Sequence, residues 1–292
     1  MLSILIPTYD RDMLPLVEVL RQQCIATAYP FEIVVFDDAS QSAWNLSNAQ
    51  INTFEHCRFV THSENKGRAA NRNALAAAAQ GSHFLFLDGD MMPLRPDFIA
   101  NYINALPQHQ VLFGGITYET EKPEPLFRLR WTYGKKREEI SVQQRQNHPY
   151  ATCLTSNLCI ERKLFEAIKF NDLIASYGYE DLVFVKGISK MNQPVTHLDN
   201  PAIHLGLEET AIFLAKTNQA LENAKKMVQK GWITSQDIKA LKWHKRILRW
   251  RLKPIIYPIL HLFSPYMNRN LHSENPSVLV FDCYKLYYLL RN

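Results

Sequence analysis

Phe84-Leu85-Phe86-Leu87-Asp88-Gly89-Asp90 joins four consecutive large apolar residues to two carboxylates set at i and i+2 around a glycine. An unbroken apolar run of this length predicts a short strand buried on both faces, as in a parallel sheet. Gly89 permits a sharp turn at the end of that strand. Two carboxylates held so close repel, so either one is neutral or a cation lies between them. Hard oxygen donors select Mg2+ or Mn2+, ions that keep phosphate and water ligands. The other reading of the same residues is a solvated turn.

Working outward, the chain from residue 2 to about 118 repeats this pattern. Leu2 to Ile6, Phe31 to Phe36, Arg58 to Thr61, His83 to Leu87 and Val111 to Gly114 are short apolar runs. Between them, Asp12 to Cys24 and Gly67 to Gln80 carry apolar residues at helical spacing. Strands alternating with helices predict an α/β fold with a doubly wound, mostly parallel sheet. In such a sheet ligands gather beyond the carboxyl ends of the strands, so residues just after Ile6, Phe36, Thr61 and Leu87 are expected around one crevice. A polar stretch over 120–150 is expected as an excursion beside that crevice. A strand over Thr152 to Ile160, a helix from Glu161, a loop through Gly178, a helix from Glu180 and a strand at Val195 to Leu198 follow. Residues 1–207 thus read as one α/β domain and 208–292 as a helical extension.

Composition bounds the function. The 292 residues are 47% hydrophobic and 21% charged, the balance of a globular protein. A formal net charge of +5 is too mild for nucleic-acid binding but suits phosphate or lipid-headgroup partners. Five scattered cysteines, odd in number, predict buried thiols in a reducing compartment, and hence a cytoplasmic protein, with the inner face of the membrane as an allied location. The opening Met-Leu-Ser-Ile-Leu-Ile-Pro lacks a basic segment and a long apolar core, so no export signal is expected. No run approaches the roughly 18 apolar residues of a membrane-spanning helix.

Three further clusters border the expected crevice. In Val34-Val35-Phe36-Asp37-Asp38-Ala39-Ser40 a carboxylate pair again follows a strand, suited to a base N–H, a ribose hydroxyl or an Asx turn. In Asn65-Lys66-Gly67-Arg68-Ala69-Ala70-Asn71-Arg72-Asn73 a glycine opens a helix bearing cations. These suit phosphates at a helix N-terminus, or a solvated face with Arg68 and Arg72 at i, i+4. In Tyr177-Gly178-Tyr179-Glu180-Asp181-Leu182 two acids open an apolar helix, as caps or as a general base.

Taken in order, Ile4-Leu5-Ile6-Pro7-Thr8-Tyr9-Asp10-Arg11, Asp37-Asp38-Ala39-Ser40, Asn65-x-Gly67 with Arg72-Asn73, Asp88-x-Asp90 and Glu180-Asp181 resemble the glycosyltransferase family 2 pattern over about residues 2–206. The resemblance implies a GT-A fold and an inverting transfer from a nucleoside-diphosphate sugar, UDP-linked, to a glycan or lipid-linked acceptor, with Mn2+ or Mg2+ as cofactor. By position, it implies that Pro7, Thr8 and Asp10 border the nucleotide and Asp38 binds the base. Asn65, Gly67, Arg68 and Arg72 lie at the donor phosphates. Asp88 holds ribose or metal, and Asp90 ligates metal. Asp181 is the base, with Glu180 positioning it or the acceptor. His204, in Pro201-Ala-Ile-His-Leu-Gly206, suits the family's late histidine near the metal, or a satisfied core histidine. Asp10 stands where asparagine is usual, and Gly89 where alanine is. The alternatives are a sugar-phosphate nucleotidyltransferase, whose Gly-rich opening signature is missing here, and a non-catalytic nucleotide-sugar-binding scaffold.

Lys242 to Lys253 carries six Lys/Arg and no acid, with Trp243, Ile247 and Trp250 at i, i+4 and i+7. Such a stripe suits either peripheral contact with an anionic membrane through 242–263, or a packed helix with solvated cations.

Overall fold

The computed structural model describes residues 1–174 and 176–292. Ala175, in the expected loop through Gly178, lies outside the described residues. The strands are β1 (Leu2–Thr8), β2 (Phe31–Asp37), β3 (Cys57–Thr61), β4 (His83–Leu87), β5 (Met91–Pro93), β6 (Val111–Phe113), β7 (Ile116–Thr117), β8 (Asn157–Glu161), β9 (Thr196–His197) and β10 (Ala202–His204). The α-helices are α1 (Leu14–Thr27), α2 (Trp44–Asn48), α3 (Arg68–Ala78), α4 (Phe98–Ala105), α5 (Arg128–Arg137), α6 (Val142–Asn147), α7 (Arg162–Ile168), α8 (Glu180–Lys190), α9 (Thr210–Gln229), α10 (Lys239–Arg249), α11 (Lys253–Leu262), α12 (Ser264–Leu271) and α13 (Val278–Arg291).

The chain divides into two compact units. The first comprises Met1–Glu119, Glu138–Ala175 and Glu180–Gly206. Its seven-stranded sheet runs β3-β2-β1-β4-β8-β6-β9, with β3, β2, β1 and β4 mutually parallel. Leu2, Ile4, Leu5, Ile6, Leu85, Phe86 and Leu87 are fully buried, which is why these strands read as continuous apolar runs. β8 runs antiparallel to both β4 and β6. That reversal sets the opening residues of β8 beside the carboxyl end of β4, with Leu87 opposite Asn157.

Two expectations change. The strand expected over 152–160 is Asn157–Glu161, and Thr152 to Ser156 form a turn-rich approach to it. A second sheet, β5-β10-β7, was not expected, because its strands are only two or three residues long. Such strands carry too few residues for a period-2 pattern to register.

The second unit comprises Thr120–Arg137, Ser176–Tyr179 and Leu207–Asn292. Its core gathers Leu129 of α5, Phe213 and Leu214 of α9, Leu271 of α12 and Phe281 of α13. Asp282 accepts hydrogen bonds from Arg137 and Lys239 and pairs with Lys285, tying α5, α10 and α13 together. No helix among the described residues is long and apolar enough to cross a membrane.

Candidate active site

The carboxyl ends of β1, β2 and β4 meet in the first unit. The Asp38 N–H donates to the Thr8 carbonyl at 3.0 Å, and the Gly89 N–H donates to the Pro7 carbonyl at 3.3 Å. Pro7, Thr8, Asp38 and Asp88 therefore share one end of the sheet, as the crevice rule requires. Asp10 sits just beyond β1 in the left-handed region at φ 52° and is exposed.

Asp38 is a buried clamp. Its Oδ1 accepts from the Lys66 N–H at 2.8 Å and its Oδ2 from the Gly67 N–H at 2.9 Å, while Asn65 Nδ2 donates to its carbonyl at 3.0 Å. Gly67 caps α3 at φ 82°, a conformation that favours glycine. The neighbouring Asp37 accepts from the Ser40 N–H and hydroxyl and from Asn45. Asp38 thus shapes the turn that carries Asn65, Gly67 and Arg68, while Asp37 ties down the turn that follows β2.

Arg72 organises the rest. It lies on the inward face of α3 with Ala69, Leu75 and Ala76, and only 1% of its side chain is exposed. Its Nη2 donates to Asp88 Oδ1 at 2.7 Å, while Nη1 lies 3.5 Å from Glu180 Oε1 and 3.6 Å from Asp181 Oδ1. Burial disfavours its charge, but Asp88, Asp181 and Glu180 outweigh that and push the guanidinium well above its ordinary range. Arg72 lies beneath three carboxylates, and Arg68, half-exposed and 3.8 Å from Glu180, is the cation of this helix nearer solvent.

Asp181 opens α8 with Glu180. A helix N-terminus and Arg72 both favour its ionised form. Even so, desolvation is the larger effect, and with Glu180 and Asp88 nearby it raises the carboxyl from 3.8 to about 6. Thr155 Oγ1 donates to Asp181 Oδ1 at 2.5 Å. Thr155 is fully buried just ahead of β8, and the Asp88 N–H donates to the carbonyl of its neighbour Ser156 at 3.2 Å. The reversed strand therefore positions the candidate base. Sequence reasoning missed Thr155 because the reversal of β8 is a tertiary feature.

Asp90 and His204 form the other pole. Pairing of His204 with Met91 across β10 and β5 brings His204 Nε2 to 3.4 Å from Asp90 Oδ2. The Leu205 N–H donates to the Asp90 carbonyl at 2.8 Å. A Cβ on Gly206 would meet Asp90 Oδ2 at 2.4 Å, so this carboxylate occupies space that only glycine leaves open. The Tyr118 ring lies 5.3 Å from that of His204. Among the described residues no group of three or more His, Cys, Asp and Glu is arranged to hold a metal. Asp90 and His204 together offer one carboxylate and one imidazole.

All five cysteines are free, and Cys24, Cys153 and Cys159 are buried, with thiols that burial holds well above the ordinary range.

Strand-end carboxylates gathered around a buried arginine at the carboxyl ends of a mixed sheet are the arrangement of an α/β fold with its site at that edge. The chain matches glycosyl transferase family 2 over residues 3–169, more than half its length, and it belongs to that family. Its fold is the GT-A fold. Solved structures agree on the fold. Residues 1–349 of TarS from S. aureus superpose with a TM-score of 0.51 at 18% identity, covering 78% of this chain and 65% of that one. The mannosyltransferase PcManGT from Pyrobaculum calidifontis, in complex with GDP-Man and Mn2+, gives 0.55 at 17%, covering 78% and 64%. Glucosyl-3-phosphoglycerate synthase from Mycobacterium tuberculosis, in complex with Mn2+, UDP and glucosyl-3-phosphoglycerate, gives 0.53 at 15%, covering 77% and 78%. The chain spans less than two thirds of the first two. No curated protein sequence matches it.

Proposed function

We propose that this chain is an inverting glycosyltransferase that moves a sugar from a nucleoside-diphosphate sugar, UDP-linked, to a hydroxyl of a glycan or lipid-linked acceptor. The observation that carries this reading is Asp181, raised to about 6 by burial yet held in place by Thr155 and Arg72. Such a carboxylate is ionised at neutral pH and more basic than an ordinary aspartate, as a general base requires. Asp181 accepts the proton of the acceptor hydroxyl as that oxygen attacks the anomeric carbon. The bond from that carbon to the diphosphate oxygen breaks on the opposite face. A single displacement inverts configuration and needs no covalent enzyme intermediate. Glu180, buried between Arg68 and Arg72, holds the guanidinium that orients Asp181.

The donor set at Asp90 and His204 fits Mn2+ or Mg2+, because such ions take few protein ligands and complete their shell with diphosphate oxygens and water. Asp88 Oδ1 is committed to Arg72, which leaves its other oxygen for ribose or metal. A cation held there would neutralise charge on the departing diphosphate. The complexes of the mannosyltransferase and of the glucosyl-3-phosphoglycerate synthase with Mn2+ support this choice.

In this reading residues 1–207 are the catalytic domain, 208–292 are a helical extension, and peripheral contact with an anionic membrane through 242–263 serves a lipid-linked acceptor. Asp181→Asn tests the chemistry. Calorimetric titration with UDP- and GDP-sugars in MnCl2 should give donor affinity within a few-fold of wild type, while transfer falls by about 100-fold or more. Equal transfer by both proteins would remove the base assignment.

A further inference from the structure

The stripe of Trp243, Ile247 and Trp250 read from the sequence is not one outward face, because Ile247 is 4% exposed and packs inward while both tryptophans are exposed. The unpartnered apolar face lies further on. α11 has no buried residue. Its Tyr257 stacks on Tyr287 of α13, and His261 Nδ1 lies within hydrogen-bond distance of the Tyr287 hydroxyl at 2.9 Å. The opposite side carries Ile255, Pro258, Ile259 and Leu262, followed by Phe263 and then Tyr266 on α12, all exposed. Leu262 is 77% exposed and Ile255 61%. These positions follow i, i+3, i+4, i+7, i+8, the spacing of a helix that buries one face against something apolar.

What surrounds this face identifies its occupant. From Ile238 to Ser273 the sequence holds eight Lys/Arg and no Asp or Glu. Because the whole chain is only +5, the rest of it is net acidic. Lys245, Arg249, Arg251, Lys253 and Arg269 are exposed. Arg251, in the left-handed region at φ 57°, turns the chain from α10 into α11, so the cations fall immediately before the apolar face. A polar protein partner would not call for this spread of leucine, isoleucine and aromatic surface beside an all-cationic flank, whereas an anionic bilayer does.

We infer that α11 and the start of α12 lie in the plane of an anionic lipid surface. Ile255, Ile259, Leu262, Phe263 and Tyr266 enter the acyl boundary, Trp250 sits at headgroup level, and Arg249, Arg251 and Lys253 pair with lipid phosphates. This deepens the proposed membrane contact of 242–263 and assigns it to a different face. It does not depend on the identity of the transfer reaction.

The test uses the full chain with vesicles of phosphatidylcholine alone or mixed with phosphatidylglycerol. Co-sedimentation is expected with the anionic vesicles only, with a blue shift of tryptophan emission that is reduced in Trp250→Phe. Ile259→Asp with Leu262→Asp should abolish binding. Replacing Arg249, Arg251 and Lys253 by Gln should weaken it by about 100-fold, given roughly a fivefold contribution from each cation at a charged surface. These side chains are exposed, so melting temperature and metal-dependent donor binding should match wild type in both variants, which separates loss of membrane contact from loss of the active site. Failure to bind anionic vesicles, equal binding to neutral ones, or a lipid-free dimer that Ile259→Asp dissociates would overturn the assignment.

Discussion

Replacing the candidate base should make the protein more stable. The Asp181 carboxyl is raised from 3.8 to about 6 because burial penalises its charge more than Arg72 and Thr155 reward it. Since its folded value lies above its unfolded one, the folded chain keeps the proton between about pH 4 and 6, where the unfolded chain has lost it. The stability this confers is complete below about pH 4 and is lost as pH rises through 6. At neutral pH the ionised group therefore costs on the order of 3 kcal/mol relative to a protonated one. Asp181→Asn removes the charge, keeps an oxygen for Thr155, and leaves Arg72 with Asp88 and Glu180. The expected gain is about 1–3 kcal/mol at pH 7.5, or roughly 2 to 5 °C in melting temperature. The gain should shrink towards zero at pH 4. Thermal melts of the two proteins across this range provide the assay. A variant that melts lower than wild type at pH 7.5, or a difference that does not change with pH, would refute the reasoning.

Three other perturbations probe the same site. In Arg72→Met the buried carboxylates lose their counter-charge, so a loss of about 3–5 kcal/mol is expected, seen as a lower denaturation midpoint, and a loss under about 1 kcal/mol would contradict the hub role. The rate kcat/KM should fall as pH drops through about 6, with that limb moving to higher pH in Thr155→Val, because the threonine hydroxyl favours the ionised base; an unmoved limb would count against Thr155 as a positioning residue. Gly206→Ala places a methyl group on Asp90 Oδ2 and should weaken manganese-dependent donor binding by about tenfold or more in calorimetry while metal-free binding is unchanged.

The parallel half of the sheet was legible because strands buried on both faces carry continuous apolar runs, and Ile4 to Ile6 of β1, Ile33 to Phe36 of β2 and Phe84 to Leu87 of β4 are such runs. Their carboxyl-end acids were legible for the same reason, since a polar residue directly after such a run marks the edge of the core. What could not be read was direction. Nothing in Asn157–Glu161 distinguishes a strand that runs against β4 from one that runs with it, so Thr155 stayed invisible as a partner of Asp181.

The burial of Arg72 was not legible from its i, i+4 relation to Arg68, which reads equally as a solvated pair. A better signal lay in Ala69, Arg72, Leu75 and Ala76, a helical stripe in which the arginine takes a core position. A cation in an apolar stripe needs buried acids opposite it, and the carboxylates of Asp88, Glu180 and Asp181 supply them. In the same way, Ile247 on α10 belonged to packing, and the outward apolar face emerged only once Tyr257 was seen turned towards α13.

In the proposed reaction Asp90 and His204 hold the cation that accompanies the donor diphosphate. Anomalous diffraction at the manganese edge, from crystals grown with Mn2+ and a nucleoside diphosphate, tests this directly. A single strong peak is expected within about 2.3 Å of an Asp90 oxygen and of His204 Nε2, with diphosphate oxygens completing the shell. A manganese peak elsewhere, with Asp90 uncoordinated, would contradict it.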